Sequence, residues 1–350
     1  MKTIILLIMV LLVYSCSSNP VGPEIIKDPK QYVWSVDTLR FNDPTMIQSI
    51  LGSIWGSSEK DVYAVGHGDA GNPIMHYDGQ SWTDMDKTKN GIKLSYRAEW
   101  VYGFGGNDVW ITGWAQAEYG SIYFPDNVGS IIHFNGSSWT QYDLPFKTMS
   151  FEYIWGKNSS DLWACGSNGI VAHYINSKWG LDTIQIVEGS TGNFWIRGIV
   201  DYNNVTYAIG FKNPRNYFFR KDGNTWVQID SFVDGENAKW GDRQLFVTQG
   251  NKLWTYGNGG IWEMENNSWS KIINTEESVS GISEYVKNKF IIIDYYGKVY
   301  TYSDGILELL KDFGANPYLA GIWANNKECF ILANKIGSGI SASSLVYHGK

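Results

Sequence analysis

Three stretches of the chain share one pattern. Residues 54–66 read IWGSSEKDVYAVG, residues 101–113 read VYGFGGNDVWITG, and residues 154–166 read IWGKNSSDLWACG. Each stretch is an apolar run, a glycine, a polar turn that ends in aspartate, and a second apolar run closed by glycine. Short apolar runs bounded by Gly and Asp are typical of β-strands joined by tight turns. The repeat therefore predicts an all-β fold built from similar antiparallel units.

Each unit continues with a second hairpin. IMHYDGQSWT at 74–83 and IIHFNGSSWT at 131–140 contain Asp-Gly and Asn-Gly pairs, which favour tight hairpins. From Trp55 to Trp323, the equivalent residue of the last unit, six steps cover 268 residues, or about 45 residues per step. A four-stranded propeller blade has this length. We predict a seven-bladed β-propeller over residues 31–350, with four antiparallel strands in each blade.

The two ends of this region complete each other. The seventh unit ends at SLVYHGK, after its third strand, whereas QYVWSVDTLRF at 31–41 precedes the first unit and carries Trp34 where a unit has its tryptophan. We predict that this N-terminal strand is the fourth strand of the last blade. Such a closure removes exposed sheet edges.

The N-terminal residues form a processing segment. Lys2 precedes an apolar run at 4–13 that is too short to cross a bilayer, and the run ends Val13-Tyr14-Ser15-Cys16. This end resembles the lipobox of bacterial lipoproteins. The resemblance implies a signal peptide at 1–15, a lipidated Cys16 carrying chains such as palmitate, and a membrane anchor. Residues 16–30 contain three prolines and are predicted to be a tether. Because Ser17 is not aspartate, we expect the outer membrane, facing either the periplasm or the outside.

The units resemble the repeats of secreted and lipid-anchored bacterial propellers, of the form Ile-Trp-Gly, Asp-Val-Tyr-Ala-Val-Gly and His-Tyr-Asp-Gly-x-Ser-Trp. The turn from Asp78 to Trp82 is also similar to a shortened Asp-box of sialidase-like propellers. Asp-boxes are structural and lie away from catalytic centres. The resemblance therefore implies the fold and the cell envelope, and it carries no activity.

Composition and spacing exclude several kinds of site. A net charge of −7 without a Lys/Arg cluster argues against nucleic-acid binding. Cys165 and Cys329 fall in non-adjacent blades, so we predict two free, buried thiols. His76, His133 and His173 recur once per blade and cannot converge on one metal ion, which makes them packing or hydrogen-bonding positions. We expect His67 in a loop and His348 in a terminal turn, both exposed. No catalytic residue, cofactor or metal is predicted.

Long connections accumulate on one face of the expected propeller, where ligands often bind. Blade one inserts HGDAGNP, blade two inserts WAQAEYGSIYFPDNVG, and blade four inserts FKNPRNY. The candidate ligand contacts are Trp114, Tyr119, Tyr123, Phe124, Arg215 and Tyr217. The alternative is that these rings pack each insert onto its own blade.

Three functions remain open. The first is a monomeric binding or scaffolding module for a glycan, a peptide or an envelope protein. The second is a carbohydrate-active enzyme, a sialidase-like hydrolase or a lyase, with two carboxylates about 5–10 Å apart in the central channel. No local motif brings together its possible components, which are Arg97, Arg197, Arg215, Arg243, Glu118 and Asp126. The third is an assembly factor for an envelope complex.

Overall fold

The computed structural model describes residues 26–69, 73–85, 87, 90–92, 96–116, 127–142, 144, 148, 150–186, 194–234, 237–337 and 342–350. Cys16 and the preceding signal segment lie outside these residues, and so do Tyr119, Tyr123 and Phe124. Within the described part, the chain forms seven four-stranded antiparallel sheets, each with its strands in chain order or closed by β1.

The strands follow one another as expected from the repeat. A 3₁₀ turn at Pro29–Gln31 precedes β1 (Trp34–Asp37). Blade one consists of β2 (Ser49–Ser58), β3 (Asp61–Gly68), β4 (Ile74–Tyr77) and β5 (Trp82–Asp84). Blade two consists of β6 (Tyr96–Gly105), β7 (Asp108–Gln116), β8 (Asn127–Phe134) and β9 (Trp139–Tyr142). Blade three consists of β10 (Phe151–Asn158), β11 (Asp161–Gly166), β12 (Ile170–Ile175) and β13 (Lys178–Thr183).

The remaining blades are built in the same way. Blade four consists of β14 (Trp195–Tyr202), β15 (Val205–Lys212), β16 (Arg215–Asp222) and β17 (Thr225–Val233). Blade five consists of β18 (Gln244–Val247), β19 (Leu253–Gly257), β20 (Gly260–Glu265) and β21 (Ser268–Asn274). Blade six consists of β22 (Val279–Val286), β23 (Lys289–Asp294), β24 (Lys298–Ser303) and β25 (Ile306–Asp312). Blade seven consists of β26 (Tyr318–Ala324), β27 (Cys329–Ile336), β28 (Ala342–Gly349) and β1.

The predicted closure of the ring is confirmed. β1 pairs antiparallel with β28, with Trp34 opposite Gly349 and Asp37 opposite Val346. The Val33 amide donates to the Lys350 carbonyl at 2.9 Å, which extends the pairing by one residue. The strand is shorter than the predicted 31–41. Because β1 covers the outer edge of β28, the last blade has the same four strands as the others.

The two faces of the propeller differ in their connections. The first-to-second and third-to-fourth strand connections share the turn-rich face, where pairs such as Asn203–Asn204 and Asn266–Asn267 adopt positive φ. Two such residues fit the type I′ turn, whose twist matches that of the flanking strands. The second-to-third strand connections and the links between blades share the loop-rich face, and these links include those from β1 to β2, from β5 to β6 and from β17 to β18.

Hydrophobic clusters between neighbouring blades form the core. One cluster joins Tyr63, Val65 and Ile74 of blade one to Tyr96 and Val101 of blade two, all at most 5% exposed. Burying such side chains contributes roughly 1.5–3 kcal/mol each. Cys165 and Cys329 are buried free thiols in blades three and seven, as predicted.

The repeated histidines have a structural role at the turn-rich ends of the blades. In blade two, His133 stacks on Trp110 with ring centroids 3.8 Å apart, and its Nε2 lies 2.8 Å from Asp108 Oδ1. The pairs His76–Asp61 and His173–Asp161 repeat this arrangement at 2.7 Å, with the imidazoles stacked on Tyr63 and Trp163. The hydrogen bonds lie within a blade rather than between blades. We call each such unit a histidine stack.

The prediction of an exposed His348 is wrong. This histidine is fully buried, stacks on Phe330 at 3.9 Å, and has Nε2 2.6 Å from Glu328 Oε2. Its Nδ1 lies 3.2 Å from Asp37 of β1. His348 is therefore the histidine stack of blade seven, placed inside by the incoming N-terminal strand. His67 also differs from expectation, because it lies at the end of β3 and not in a loop.

Blade five departs from the histidine pattern, and blade four departs from the predicted loop arrangement. In blade five the charges are exchanged, since Lys252 takes the aspartate position and Glu263 the histidine position, with Nζ 2.8 Å from Oε1. In blade four the predicted insert FKNPRNY is absent, because β15 and β16 pair up to Lys212 opposite Arg215. Only Asn213 and Pro214 connect the two strands.

Candidate functional site

A cavity of about 970 Å³ lies on the propeller axis and is lined by the first strand of every blade. Each first strand begins at the loop-rich face and ends at the turn-rich face. The cavity therefore has a mouth between the loops and a deeper part between the turns. Propeller sites commonly lie at such a concave, convergent position.

The mouth is built by a β-bulge that recurs near the start of the first strands. At each bulge one residue has no partner on the second strand, which turns its side chain toward the cavity. The unpaired residues of blades one, two, three, four, six and seven are Gly52, Glu99, Glu152, Arg197, Ser280 and Ala320. Blade five has no bulge there, and Arg243 occupies the equivalent position, with its amide bonded to the Tyr256 carbonyl.

The charged residues among these positions come from four consecutive blades and lie on one side of the mouth. Blades two and three contribute the acids Glu99 and Glu152, and blades four and five contribute the bases Arg197 and Arg243. We call these four residues the charged half of the mouth. Blades six, seven and one contribute Ser280, Ala320 and Gly52, which form the small half. The same backbone geometry thus presents two different surfaces to whatever enters the channel.

The acidic side of the charged half is partly desolvated. Glu99 is held by His67, whose Nε2 lies 3.0 Å from Oε2, and by Trp114, whose indole nitrogen donates to Oε1 at 3.2 Å. Glu152 accepts a hydrogen bond from the Ser150 hydroxyl. Burial and the neighbouring charge of Glu99 raise the pKa of Glu152. A carboxylate with a raised pKa in a cleft is a feature of functional sites.

The basic side has few partners. Arg197 packs its guanidinium over the Phe211 ring at 4.2 Å, and burial lowers its pKa. Among the residues that the structure describes, no hydrogen bond or ion pair reaches this guanidinium. Asp242 and Asp234 line the cavity nearby and partly offset its charge. Arg243 is exposed beside them.

Below the mouth the cavity wall becomes aromatic. Five half-buried rings from five blades line it: Trp55, Tyr102, Trp155, Phe246 and Trp323. Trp55 and Trp155 are the tryptophans of the Ile-Trp-Gly repeat. Charged groups above and aromatic rings below suit a ligand with charged and apolar parts.

The residues predicted to contact ligand fall in different environments. Trp114 lies at the end of β7, half-buried, beside Glu99 and under Arg97 at 4.6 Å. Arg215 lies in β16 and donates to the Ser231 hydroxyl at 3.1 Å. Tyr217 is 3% exposed and packs in the core between blades three and four, so it offers no surface to a ligand. The insert expected to carry Arg215 and Tyr217 is a two-residue turn, so Tyr217 is corrected to a core residue, and Arg215 stays a prediction.

Arg197 and Arg243 were named from the sequence only as possible components of an enzyme site, and Glu99 and Glu152 were not singled out, although these residues occupy a fixed place in the repeat. Glu99 and Glu152 stand two residues before the Ile or Val that opens each repeat, as Gly52, Arg197, Ser280 and Ala320 do. Alignment of the units at that position would have shown residues of every charge type. The described residues contain no group of three or more His, Cys, Asp or Glu side chains arranged to hold a metal ion. None of the described helices has the length and apolarity needed to span a membrane.

Comparisons with known proteins give a structural likeness. No family model matches the chain, and no curated protein matches it. The structure titled YCF48 bound to D1 peptide superposes with a TM-score of 0.58 at 15% identity, covering 92% of this chain and 95% of that one. YCF48 from Cyanidioschyzon merolae gives 0.54 at 15% identity, covering 90% and 98%.

A bacterial propeller is also similar. The extracellular domain of BT4673 from B. thetaiotaomicron has a TM-score of 0.57 at 13% identity, and the match covers 92% of this chain and 44% of that one. At these identities the likeness concerns the fold alone. The chain is a seven-bladed β-propeller with an extracellular bacterial propeller among its structural neighbours.

Proposed function

We propose that this chain is an envelope-tethered lipoprotein whose propeller binds a glycan, a peptide or a protein partner at the mouth of its central channel. The observation that carries the proposal is the charged half of the mouth. Its four residues are presented by equivalent positions of four consecutive blades, whereas the remaining three blades present small residues there.

Stability alone gives little reason for this arrangement. Taking Glu152 and Arg197 partly out of water costs free energy that a close ion pair or several hydrogen bonds would offset. In the described part of the chain Glu152 has the Ser150 hydroxyl as its hydrogen-bond partner, and Arg197 has the face of Phe211. A bound ligand that supplies the missing partners accounts for keeping both charges at the mouth.

The ligand class is supported by the cavity and by the neighbours. The aromatic wall suits sugars and apolar side chains alike, and one structural neighbour is titled as bound to a peptide. An assembly factor, which also acts by binding a protein, is one form of the same function. The tether rests on the resemblance of the stretch ending in Cys16 to a lipobox.

Site-specific photocrosslinking tests the binding site. A benzophenone amino acid at Ala320, on the small half of the mouth, is expected to crosslink a partner in envelope extract. The matched control places the same group at Glu265, which is exposed beside a turn on the opposite face. Equal labelling from both positions, or labelling from Glu265 alone, would remove the mouth as the binding site.

Metabolic labelling tests the anchor. We expect incorporation of radiolabelled palmitate into the wild-type chain and sedimentation with the outer membrane. Cys16→Ser should abolish both, while Cys165→Ser, which alters a buried thiol, should leave both unchanged. Equal labelling of the Cys16→Ser variant would contradict the lipoprotein assignment.

One observation also favours a second function, a glycoside hydrolase. Two carboxylates of adjacent blades line the cavity, and the raised pKa of Glu152 suits a general acid beside Glu99. This function predicts release of nitrophenol from aryl glycosides, with loss of activity in both Glu152→Gln and Glu99→Gln. Absence of turnover across a broad glycoside panel would leave binding as the function.

A further inference from the structure

The order of charges around the mouth is itself informative. Following the blades from two to five, the residues are acid, acid, base and base. At these four positions the two signs occupy adjacent sectors, and Asp234 and Asp242 line the cavity beside the arginines and partly offset their charge. A ligand that satisfies both sectors has its own charges separated in the opposite sense.

We propose that the charged half of the mouth binds a peptide segment in which a basic residue and an acidic residue flank an apolar one. The basic side chain lies against Glu152 and Glu99, and the acidic side chain or a terminal carboxylate lies against Arg197 and Arg243. The apolar side chain enters the aromatic wall below. This inference rests on the proposed function and names the chemistry of its ligand.

The partners available to each charge support this order. Glu99 is already bonded to His67 and Trp114, whereas Glu152, one blade further, has the Ser150 hydroxyl on one oxygen. The Arg197 guanidinium lies over Phe211, with its central carbon 4.2 Å from the ring centroid. The N–H groups of a guanidinium lie in its own plane, so a guanidinium with a ring on one face can still meet a carboxylate edge-on with two parallel hydrogen bonds.

Other ligand classes satisfy only part of the site. An acidic glycan supplies carboxylates for Arg197 and Arg243 but has no cation for Glu99 and Glu152. It would bring further negative charge beside two acids that already repel each other. A neutral glycan satisfies neither sector.

Selection from a phage-displayed library of random dodecapeptides on the full chain tests the proposal. We expect enriched sequences with a Lys or Arg and an Asp or Glu on either side of an apolar residue. Glu152→Gln and Arg197→Gln should each lose the enrichment, while Glu265→Gln on the turn-rich face should keep it. Circular dichroism and thermal melting establish that the three variants are folded.

A double-mutant cycle then assigns each contact. A capped synthetic peptide of the selected sequence is measured by calorimetry, along with forms in which its basic residue is norleucine or its acidic residue is amidated. Neutralising the peptide base should weaken binding to wild type about 10- to 100-fold and have little further effect on Glu152→Gln. Neutralising the acid should show the same coupling to Arg197→Gln.

The outcomes separate this inference from the function on which it rests. Enriched peptides without the charge pair, or uncoupled cycles, would overturn the peptide inference even where crosslinking at Ala320 succeeds. Binding of a polyuronate that depends on Arg197 and not on Glu152 would replace the peptide by an acidic glycan. Absence of both crosslinking and peptide binding would overturn the proposed function together with the inference.

Discussion

The histidine stacks and the channel mouth occupy opposite ends of the same blades and follow opposite rules. At the turn-rich end, blades one, two and three repeat both geometry and residues, and each histidine has its carboxylate within 2.8 Å. At the mouth the bulge geometry repeats, but the residue changes from Gly52 to Glu99 to Arg197. Within a repeat protein, identical residues on identical backbone indicate structure, and different residues on identical backbone indicate recognition.

The largest change in stability is expected when the aromatic ring under a stacked histidine is removed. Trp110 is 1% exposed and carries the stacked ring of His133. Trp110→Ala should lower the free energy of unfolding by about 3–5 kcal/mol, because a large cavity forms between blades two and three. Chemical denaturation measures it, with Ile306→Ala, whose side chain is mostly exposed, as the control expected to change little. A loss near 1 kcal/mol would show that the stack is not a stabilising unit.

A smaller loss of unfolding free energy is expected when the carboxylate of a histidine stack is neutralised. Although burial opposes it, hydrogen bonds from His76 and Ser57 lower the pKa of Asp61. Asp61→Asn should therefore cost about 1–2 kcal/mol at pH 7, a value reduced by the partial exposure of the pair. A carboxyl whose pKa is lowered by folding stabilises the folded protein at pH values above its unfolded pKa, which is near 3.9. This contribution is lost as the pH falls through the folded pKa.

Denaturation at several pH values checks that sign. The difference between wild type and Asp61→Asn should shrink below about pH 4, where the Asp61 carboxylate is protonated. A difference that did not shrink below about pH 4 would mean that the carboxylate is not stabilised by its partners.

Neutralising Glu152 at the mouth should stabilise the protein, whereas neutralising Asp61 in a histidine stack should destabilise it. Since burial and Glu99 raise the pKa of Glu152, its ionised form is disfavoured in the folded protein. Glu152→Gln should raise the free energy of unfolding by about 1 kcal/mol at pH 7. A carboxyl whose pKa is raised by folding stabilises the folded protein at pH values below its unfolded pKa. This stabilisation is lost as the pH rises through the folded pKa. The gain should therefore disappear toward pH 4, and a destabilised variant at pH 7 would contradict the assignment.

The smallest change in unfolding free energy is expected for a substitution on the small half of the mouth. A Cβ built on Gly52 meets no atom within 4 Å, because the bulge directs it into the channel. Gly52→Ala should change the unfolding free energy by less than about 0.5 kcal/mol. Gly66→Ala is the matched comparison in the paired strand, where the added Cβ would lie 2.3 Å from the Ile50 carbonyl oxygen. Equal losses in thermal melting would show that the bulge does not open this position.

The sequence predicted the fold well because its determinants are local and repeated. Turn residues, apolar runs and the fixed tryptophan offset specified seven blades and the pairing of Trp34 with the last blade. Their chemistry acts within ten or so residues. His348 was misjudged because its burial depends on β1, which lies more than three hundred residues away in the chain.

The site was harder to predict because a channel exists only once the ring is closed. Glu99, Glu152 and Arg197 look like ordinary polar residues at strand starts. Their convergence depends on bulges in three separate sheets and on the packing between blades. The blade-four insert was overestimated for a related reason, since Asn213 and Pro214 indicate a loop without revealing how closely β15 and β16 pair.

The closing strand also decides which face of the propeller would lie nearest to the proposed lipid at Cys16. β1 begins at the turn-rich face, where Val33 pairs with Lys350 and the Lys27 amide bonds to Asn326. About ten residues connect this point to Cys16, a reach of roughly 35 Å at full extension. A lipid at Cys16 would hold the histidine stacks toward the bilayer and point the channel opening away from it. The channel mouth would then face the solvent of the surrounding compartment.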